Sequence, residues 1–187
     1  MGAKEFTMRK TFLAFLLMLL APAISLAAGP DFIVCKSTYA LCTTAPCTPI
    51  PGRKDVVSCQ CNVATDYSAG MKPCDEEKAG AAPKLRSRYH PISSYARCDN
   101  RRPWAWCLDA PCVADKNKPS QAACACSVVA NQGDYVIVNA SGQYDDSSCT
   151  TGIYSSASVV QLDQVTDFLK THDTPLHPVP IKVFKGK

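Results

Sequence analysis

Two stretches of the chain carry apolar side chains at every second position. In Val57–Val63 the apolar positions hold Val, Cys, Cys and Val, and Ser, Gln and Asn lie between them. Ala122–Val128 repeats this face as Ala, Cys, Cys and Val. Because side chains alternate between the two faces of a strand, each stretch predicts a strand with one buried face. The cysteines of each Cys-x-Cys should point into the core about 6.6 Å apart, too far to bond each other.

These strands belong to a longer pattern that occurs twice, 65 positions apart. Residues 39–63 read Y-A-L-C-T-T-A-P-C, eleven further residues, then C-Q-C-N-V, and residues 104–128 read W-A-W-C-L-D-A-P-C, eleven residues, then C-A-C-S-V. We interpret the pattern as an internal duplication. It predicts two cysteine-rich repeats with a boundary near Ser93, the first spanning residues 28–93 and the second residues 94–187.

Weaker patterns predict the elements around the shared pattern. Asp31–Cys35 and Ser94–Cys98 are expected to be short strands, and Tyr135–Val138 is an apolar run found in the second repeat alone. Ser158-x-x-Gln161 is a capping box. Leu, Val, Phe and Leu follow it at helical spacing and predict a helix over 158–171. The fold class is therefore a small, disulfide-rich, mainly β protein whose second copy carries a C-terminal helix.

Turn-forming residues lie between the second and third cysteines of each pattern. Pro, Gly, Asp and Asn are frequent in residues 48–55 and 114–120, where a hairpin loop is needed. This arrangement predicts disulfides Cys47–Cys59 and Cys112–Cys124, although six cysteines in one repeat allow 15 pairings. The stretch Asp66–Gly70, D-Y-S-A-G, is one residue away from a nucleophile elbow, and we interpret it as a loop.

The N-terminus has the layout of a signal peptide. Arg9 and Lys10 precede the apolar run Thr11–Leu20, and Ser25-Leu26-Ala27 fits a small-residue cleavage site. Residues 1–27 are therefore expected to be removed; residues 1–7 add nothing to the pattern and suit a cloning remnant or an upstream start. The apolar run is short of the roughly 20 residues that span a bilayer, which argues against a membrane anchor. No other segment is apolar enough to cross a bilayer, so no membrane span is expected after cleavage. The expected location is secreted or periplasmic.

The charge of the mature chain is small. Export removes three of the 20 basic and one of the 16 acidic residues, which leaves 17 against 15, a net charge of +2. Such a balance favours no nucleic-acid partner. The basic groups are short and are typical of solvated surface.

All twelve cysteines lie in the mature part of the chain, and they could form disulfides or bind metal ions. An even count in an exported chain predicts disulfides. Four thiolates on zinc are the alternative, but oxidising compartments consume free thiols. We therefore expect six disulfides, no metal and no cofactor. The cysteines involved are Cys35, Cys42, Cys47, Cys59, Cys61, Cys74, Cys98, Cys107, Cys112, Cys124, Cys126 and Cys149.

The most suggestive side chains for ligand binding lie at the start of the second pattern and directly before it. Trp104 and Trp106 have the i, i+2 spacing that places both indoles on one face of a strand. Arg101 and Arg102 precede them, and aromatic rings beside guanidinium groups stack on sugars, aromatic ligands or partner side chains. The alternative, which the sequence favours for these two side chains, is that both indoles cover the disulfide core, because Tyr39 and Leu41 hold the matching positions in the first repeat.

Catalytic candidates are weak. His90 and His177 occupy matching positions, each followed by proline, and either one would serve as a base in a site between the repeats. No metal-ligand spacing of histidines, phosphate loop or dinucleotide fingerprint is present.

The sequence therefore favours an exported, disulfide-stabilised binding module whose ligand is a protein or a carbohydrate. One alternative is a small secreted hydrolase with its site between the two repeats. A second alternative is a protease-inhibitor-like module that presents the loop Pro49–Asp55.

Overall fold

The protein is mainly β, as the sequence predicts. A computed structural model describes residues 31–74, 84–90, 94–138, 147–171 and 182–185. Within these ranges the elements are β1 Ile33–Leu41, β2 Pro46–Pro49, β3 Val56–Gly70, β4 Lys84–Arg86, β5 Ser94–Cys98, β6 Trp104–Trp106, β7 Pro111–Ala114, β8 Gln121–Val129, β9 Tyr135–Val138, α1 Ser147–Thr150, β10 Ile153–Ser158, α2 Val159–Thr171 and β11 Lys182–Lys185. None of the helices in the part of the chain described is long and apolar enough to cross a membrane.

The two Cys-x-Cys strands pair with each other at the centre of the sheet. β3 and β8 are antiparallel, and Cys59 lies directly opposite Cys124. These two residues hold matching positions in the sequence pattern, so a local two-fold axis passes between them. β1 and β2 flank β3, and β6 and β7 flank β8. The two halves of the chain, residues 28–93 and 94–187, therefore share one sheet.

Four disulfides fill the space behind this central pair. Cys47–Cys59 and Cys112–Cys124 are formed as predicted, and each closes a hairpin with a sequence separation of 12. Cys42–Cys61 and Cys107–Cys126 also match each other, with a separation of 19. The cysteines of each Cys-x-Cys thus bond to different neighbours, as strand geometry requires. The remaining two bonds are Cys35–Cys74 and Cys98–Cys149.

Each half contributes a strand to the other. β4 of the first half pairs with β7 of the second, and β10 of the second half pairs with β2 of the first. The contacts match closely: the amide of Ser87 donates to the Ala110 carbonyl over 3.0 Å, and the amide of Ser155 donates to the Ala45 carbonyl over 2.9 Å. Because Ala45 and Ala110 are 65 positions apart, Ser87 and Ser155 occupy corresponding places. The duplication itself stays a prediction, but the halves are interlocked by these two strands.

A second layer is formed by β5, β9, β10, β11 and α2. β9 pairs with both β5 and β10, and the helix lays Leu162, Val165 and Leu169 against a cluster that includes Val136. The Ser158 hydroxyl accepts a hydrogen bond from the Gln161 amide over 3.1 Å, which is the N-cap that the sequence predicts. The Gln161 side chain differs from a capping box, because its Oε1 accepts a bond from the Tyr89 hydroxyl over 2.9 Å.

Two local predictions need correction. Asp66–Gly70 is the end of β3 and is paired with β1, so it is not a loop. The first strand begins at Ile33 and continues to Leu41, well past Cys35. In both cases cross-strand pairing extends a strand through residues whose own pattern is weak. The signal peptide, His177 and the segment before α1 lie outside the described residues.

Candidate functional site

The two tryptophans of β6 have different environments. Trp104 is 5% exposed and stacks on Tyr135, with ring centroids 6.1 Å apart. Both rings pack in a cluster with Cys98 and Cys149, which form a disulfide. The Tyr135 hydroxyl donates to Asn100 Oδ1 over 3.2 Å. Trp104 is thus part of the packing around this disulfide.

Trp106, in contrast, is 37% exposed. Its backbone pairs with Ser127 of β8 on one side and with Ser156 of β10 on the other. The next residue, Cys107, is bonded to Cys126 of β8. An exposed indole is therefore held on a strand that is hydrogen-bonded on both edges and anchored by a disulfide.

The two arginines lie on the approach to β6. Arg101 is exposed and has a φ of 55°, a left-handed conformation that is uncommon for a residue with a side chain. Arg102 is half-buried, and its amide donates to Asn100 Oδ1 over 3.1 Å. Burial raises the pKa of Tyr135, and the nearby charge of Arg102 acts against that shift. The charge of Arg102 is thus close enough to influence Tyr135, whereas Arg101 is exposed to solvent.

Where the two central strands pair with each other, their outward side carries no charged residue; Asp66, further along β3, is exposed but lies beyond this stretch. We call this side the uncharged face and define it as the outward positions of Val56–Asn62 and Gln121–Ser127 together with the exposed residues paired beside them on β2, β6 and β7. Its members are Thr48, Val56, Ser58, Gln60, Asn62, Trp106, Val113, Gln121, Ala123, Ala125 and Ser127. Protein surfaces are roughly 25–35% charged, so about three charges would be expected among eleven such positions.

A small cleft lies where the two halves meet. It is lined by Leu41–Thr44 and Ser87–His90 from the first half, and by Cys107, Leu108, Ser155–Ala157 and Leu162 from the second. His90 is exposed at this cleft, and its Nδ1 lies 3.3 Å from the hydroxyl of Tyr39. Burial raises the pKa of Tyr39. The cleft thus brings together one predicted candidate, His90, with serines that the sequence did not single out.

Corresponding positions on the two sides of this junction are filled differently. On one side, Arg88 and Asp109 form a buried ion pair, with Nη1 and Oδ1 3.6 Å apart. The matching residues on the other side are Ser156 and Thr44, both of which line the cleft. Ser156 is 7% exposed, and its hydroxyl has no hydrogen-bond partner among the described residues. The cleft therefore coincides with the place where an ion pair is replaced by two small hydroxyl residues.

Two groups of cysteine sulfurs lie close enough together to suit a metal ion. They are Cys42, Cys112 and Cys124, and Cys42, Cys107 and Cys126, with the sulfur atoms of each group within 4.8 Å of one another. Every one of these sulfurs is in a disulfide, and it is the thiolate, not the disulfide, that ligates metal.

Comparison with known proteins gives no relative for this chain: no family model, curated protein or solved structure matches it. Function is therefore argued from the residues alone. Sequence reasoning singled out Trp106, which is exposed, and the two arginines that precede β6. It missed the uncharged face, although the absence of charge in residues 56–62 and 121–127 is visible in the sequence.

Proposed function

We propose that this is an exported binding module whose binding surface is centred on Trp106, with Arg101 and Arg102 beside it. The observation that supports this most is the exposed indole on a strand that is paired on both edges and disulfide-anchored. Large aromatic side chains dominate binding energies where they are fixed in the bound conformation, because little entropy is then lost. Trp104 is buried against Tyr135 and is therefore not part of the proposed binding surface.

The six disulfides are compatible with an exported, disulfide-stabilised protein. A disulfide-anchored strand that presents an exposed aromatic side chain resembles the anchor of a recognition surface more than a catalytic site. Export to the periplasm or the medium is part of the proposal and is checked by locating the processed chain, which should begin near Ala28.

The proposal is tested by comparing four immobilised proteins: wild type, Trp106→Ala, Arg101→Ala and the control Val160→Ala. Val160 is 65% exposed on α2, so its truncation also removes apolar surface, but away from the proposed site. Each protein is incubated with periplasmic and cell-surface material, and retained components are identified and quantified. At least one component should be retained by wild type and the Val160 variant and lost from the Trp106 variant. Equal retention by all four proteins would contradict the proposal.

The hydrolase alternative has weaker support. His90 lies in the cleft, but its Nδ1 contacts Tyr39, and the Ser156 hydroxyl has no hydrogen-bond partner among the described residues. A serine nucleophile needs a base within hydrogen-bond reach. An activity screen with wild type and His90→Ala distinguishes the two functions, since only a hydrolase loses turnover in the variant.

The inhibitor alternative rests on the loop between β2 and β3. The Arg53 amide donates to the Ile50 carbonyl over 3.0 Å, and Gly52 has a φ of 76°. The loop is therefore folded into a tight turn next to the Cys47–Cys59 disulfide. A protease reads an extended segment, so this conformation does not favour inhibition.

A further inference from the structure

We propose that the uncharged face binds a neutral polysaccharide chain. This assignment deepens the proposed binding function and rests on it, because Trp106 lies at the edge of the face. Four properties of the face lead to this ligand class: its charge, its hydrogen-bonding groups, its small central side chains and its area.

The charge of the surroundings makes the absence of charge on the face informative. The loop before β3 contains three exposed charged residues, Arg53, Lys54 and Asp55. The loop before β8 contains three more, Asp115, Lys116 and Lys118. Charged residues are thus common at both ends of the stretch in which β3 and β8 pair, and they are absent from the outward positions between those ends. Neutral polar groups on the face complement a ligand that has no net charge. A charged ligand would lose hydration on binding here and would find no group of opposite charge on the face.

The polar groups on the face are amides and hydroxyls. Gln60, Asn62 and Gln121 project exposed carboxamides, and Asn62 lies directly opposite Gln121. A carboxamide offers both an acceptor oxygen and two donor hydrogens, and a hydroxyl is likewise both donor and acceptor. Sugar hydroxyls have the same dual character, so each carboxamide can satisfy a sugar hydroxyl in either direction.

Small side chains occupy much of the centre of the face. Ala123 and Ala125 are exposed on β8, and Ser58 lies opposite Ala125. Alanine is a poor strand former, so propensity does not explain two of them at exposed positions of a central strand. Small side chains leave no pocket for a compact ligand but let a flat chain approach the backbone closely.

The area of the face argues against a second copy of this protein. The face is about seven residues long, at about 3.3 Å per residue, and four strands wide, at about 4.8 Å per strand, because β6 and β7 follow one another along the same edge of β8. These dimensions give roughly 440 Å² on each partner. Two such faces would bury about 900 Å², below the roughly 1,200 Å² of stable interfaces. A polysaccharide chain can bind to a smaller area than a protein partner needs, because several of its sugar units contact the face at the same time. Trp106 at the edge then provides an aromatic surface for the apolar side of a sugar ring.

The test uses the full oxidised mature chain and named polysaccharides. Affinity electrophoresis is run in gels containing dextran, amylose, mannan or hydroxyethyl cellulose, with alginate as an acidic polysaccharide, and binding to insoluble cellulose and chitin is measured by sedimentation. At least one neutral polysaccharide should bind. Ala125→Lys should weaken that binding at least tenfold, and Val160→Lys should leave it within twofold. Binding should also stay within twofold in 0.5 M NaCl, since a neutral ligand makes no ion pairs with the face.

Three results would overturn this assignment: no binding to any neutral polysaccharide, equal binding by Ala125→Lys and wild type, or preference for alginate that disappears in salt. Near-UV circular dichroism confirms that both lysine variants are folded. The outcome for the broader proposal is separate. If neutral polysaccharides fail but Trp106 still determines the retention of a protein, the ligand class is wrong and the binding function stands. If Trp106 determines no retention at all, both proposals fail.

Discussion

The ion pair between Arg88 and Asp109 should be the most sensitive single contact between the two halves. Asp109 belongs to the second half and Arg88 to the first, and their side chains are only 4% and 3% exposed. The arginine also donates to the Ser68 hydroxyl over 3.1 Å and to the Lys72 carbonyl over 3.0 Å, and its other terminal nitrogen donates to the Ile33 carbonyl. One guanidinium therefore joins β1, the end of β3 and the turn at Asp109.

Replacing Asp109 with Asn removes the charge and keeps the shape. Asp109 has a φ of 57°, which Asn adopts readily, so the substitution adds no backbone strain. The oxygen of the introduced carboxamide can still accept the bond that the Met71 amide makes to Asp109 Oδ2 over 2.8 Å. What is lost is the counter-charge of a buried guanidinium. Removing one partner of a buried pair costs about 3–5 kcal/mol, and the three remaining acceptors of Arg88 place the expected loss near 3 kcal/mol.

The assay is guanidinium chloride unfolding at pH 7 with all disulfides intact, followed by tryptophan fluorescence. Thr44 has the matching position in the other half and a φ of 49°, so Thr44→Asn is the control and should cost less than about 1 kcal/mol. The double variant Arg88→Met/Asp109→Asn should lose less free energy of unfolding than the two single variants lose together, by about 1.5–3 kcal/mol. A loss below 1 kcal/mol for Asp109→Asn, or additive single losses, would refute this account of the junction.

Reduction should unfold the protein, because closing a loop of 12 or 19 residues contributes about 3 kcal/mol in the chain-entropy model; unchanged thermal melting in strong reductant would contradict this. Ser158→Ala should lower the free energy of unfolding by about 1 kcal/mol through loss of the N-cap, and Ser158→Gly by less; equal losses would argue against capping. Burial raises the pKa of Tyr89 above its usual value of 10, so above pH 10 the unfolded chain loses this proton first and stability falls as pH rises. Tyr89→Phe should make that decline shallower by up to about 1.4 kcal/mol per pH unit, measured by denaturant titrations between pH 9 and 11.5; an unchanged slope would show that Tyr89 does not contribute.

Local patterns in the sequence were sufficient for much of the fold. The alternation around Cys59 and Cys124 predicts both central strands, and hairpin geometry predicts the two disulfides that close them. The helix was predicted because its N-cap and the residues of its apolar face all lie within 14 consecutive residues. In each case the residues that decide the structure are close together in the chain.

The parts that could not be predicted depend on residues brought together from far apart. β4 has three residues, too few to show a period, and it forms because β7 of the other half offers an edge. The same holds for the Arg88–Asp109 pair, whose partners lie in different halves. The uncharged face is intermediate: its central positions can be read from two strands, but pairing alone adds Trp106 and Val113 to it.

The most direct test of the binding account is a chemical-shift titration of the ¹⁵N-labelled oxidised protein with the neutral polysaccharide fragment that binds best. The account expects the largest shifts at the Trp106 indole N–H, at the side-chain amides of Gln60, Asn62 and Gln121, and at the backbone of Ala123 and Ala125. The Trp104 indole, which is buried, should change little. Shifts confined to His90, Ser156 and the other residues of the cleft would contradict it, and would place the binding site where the two halves meet.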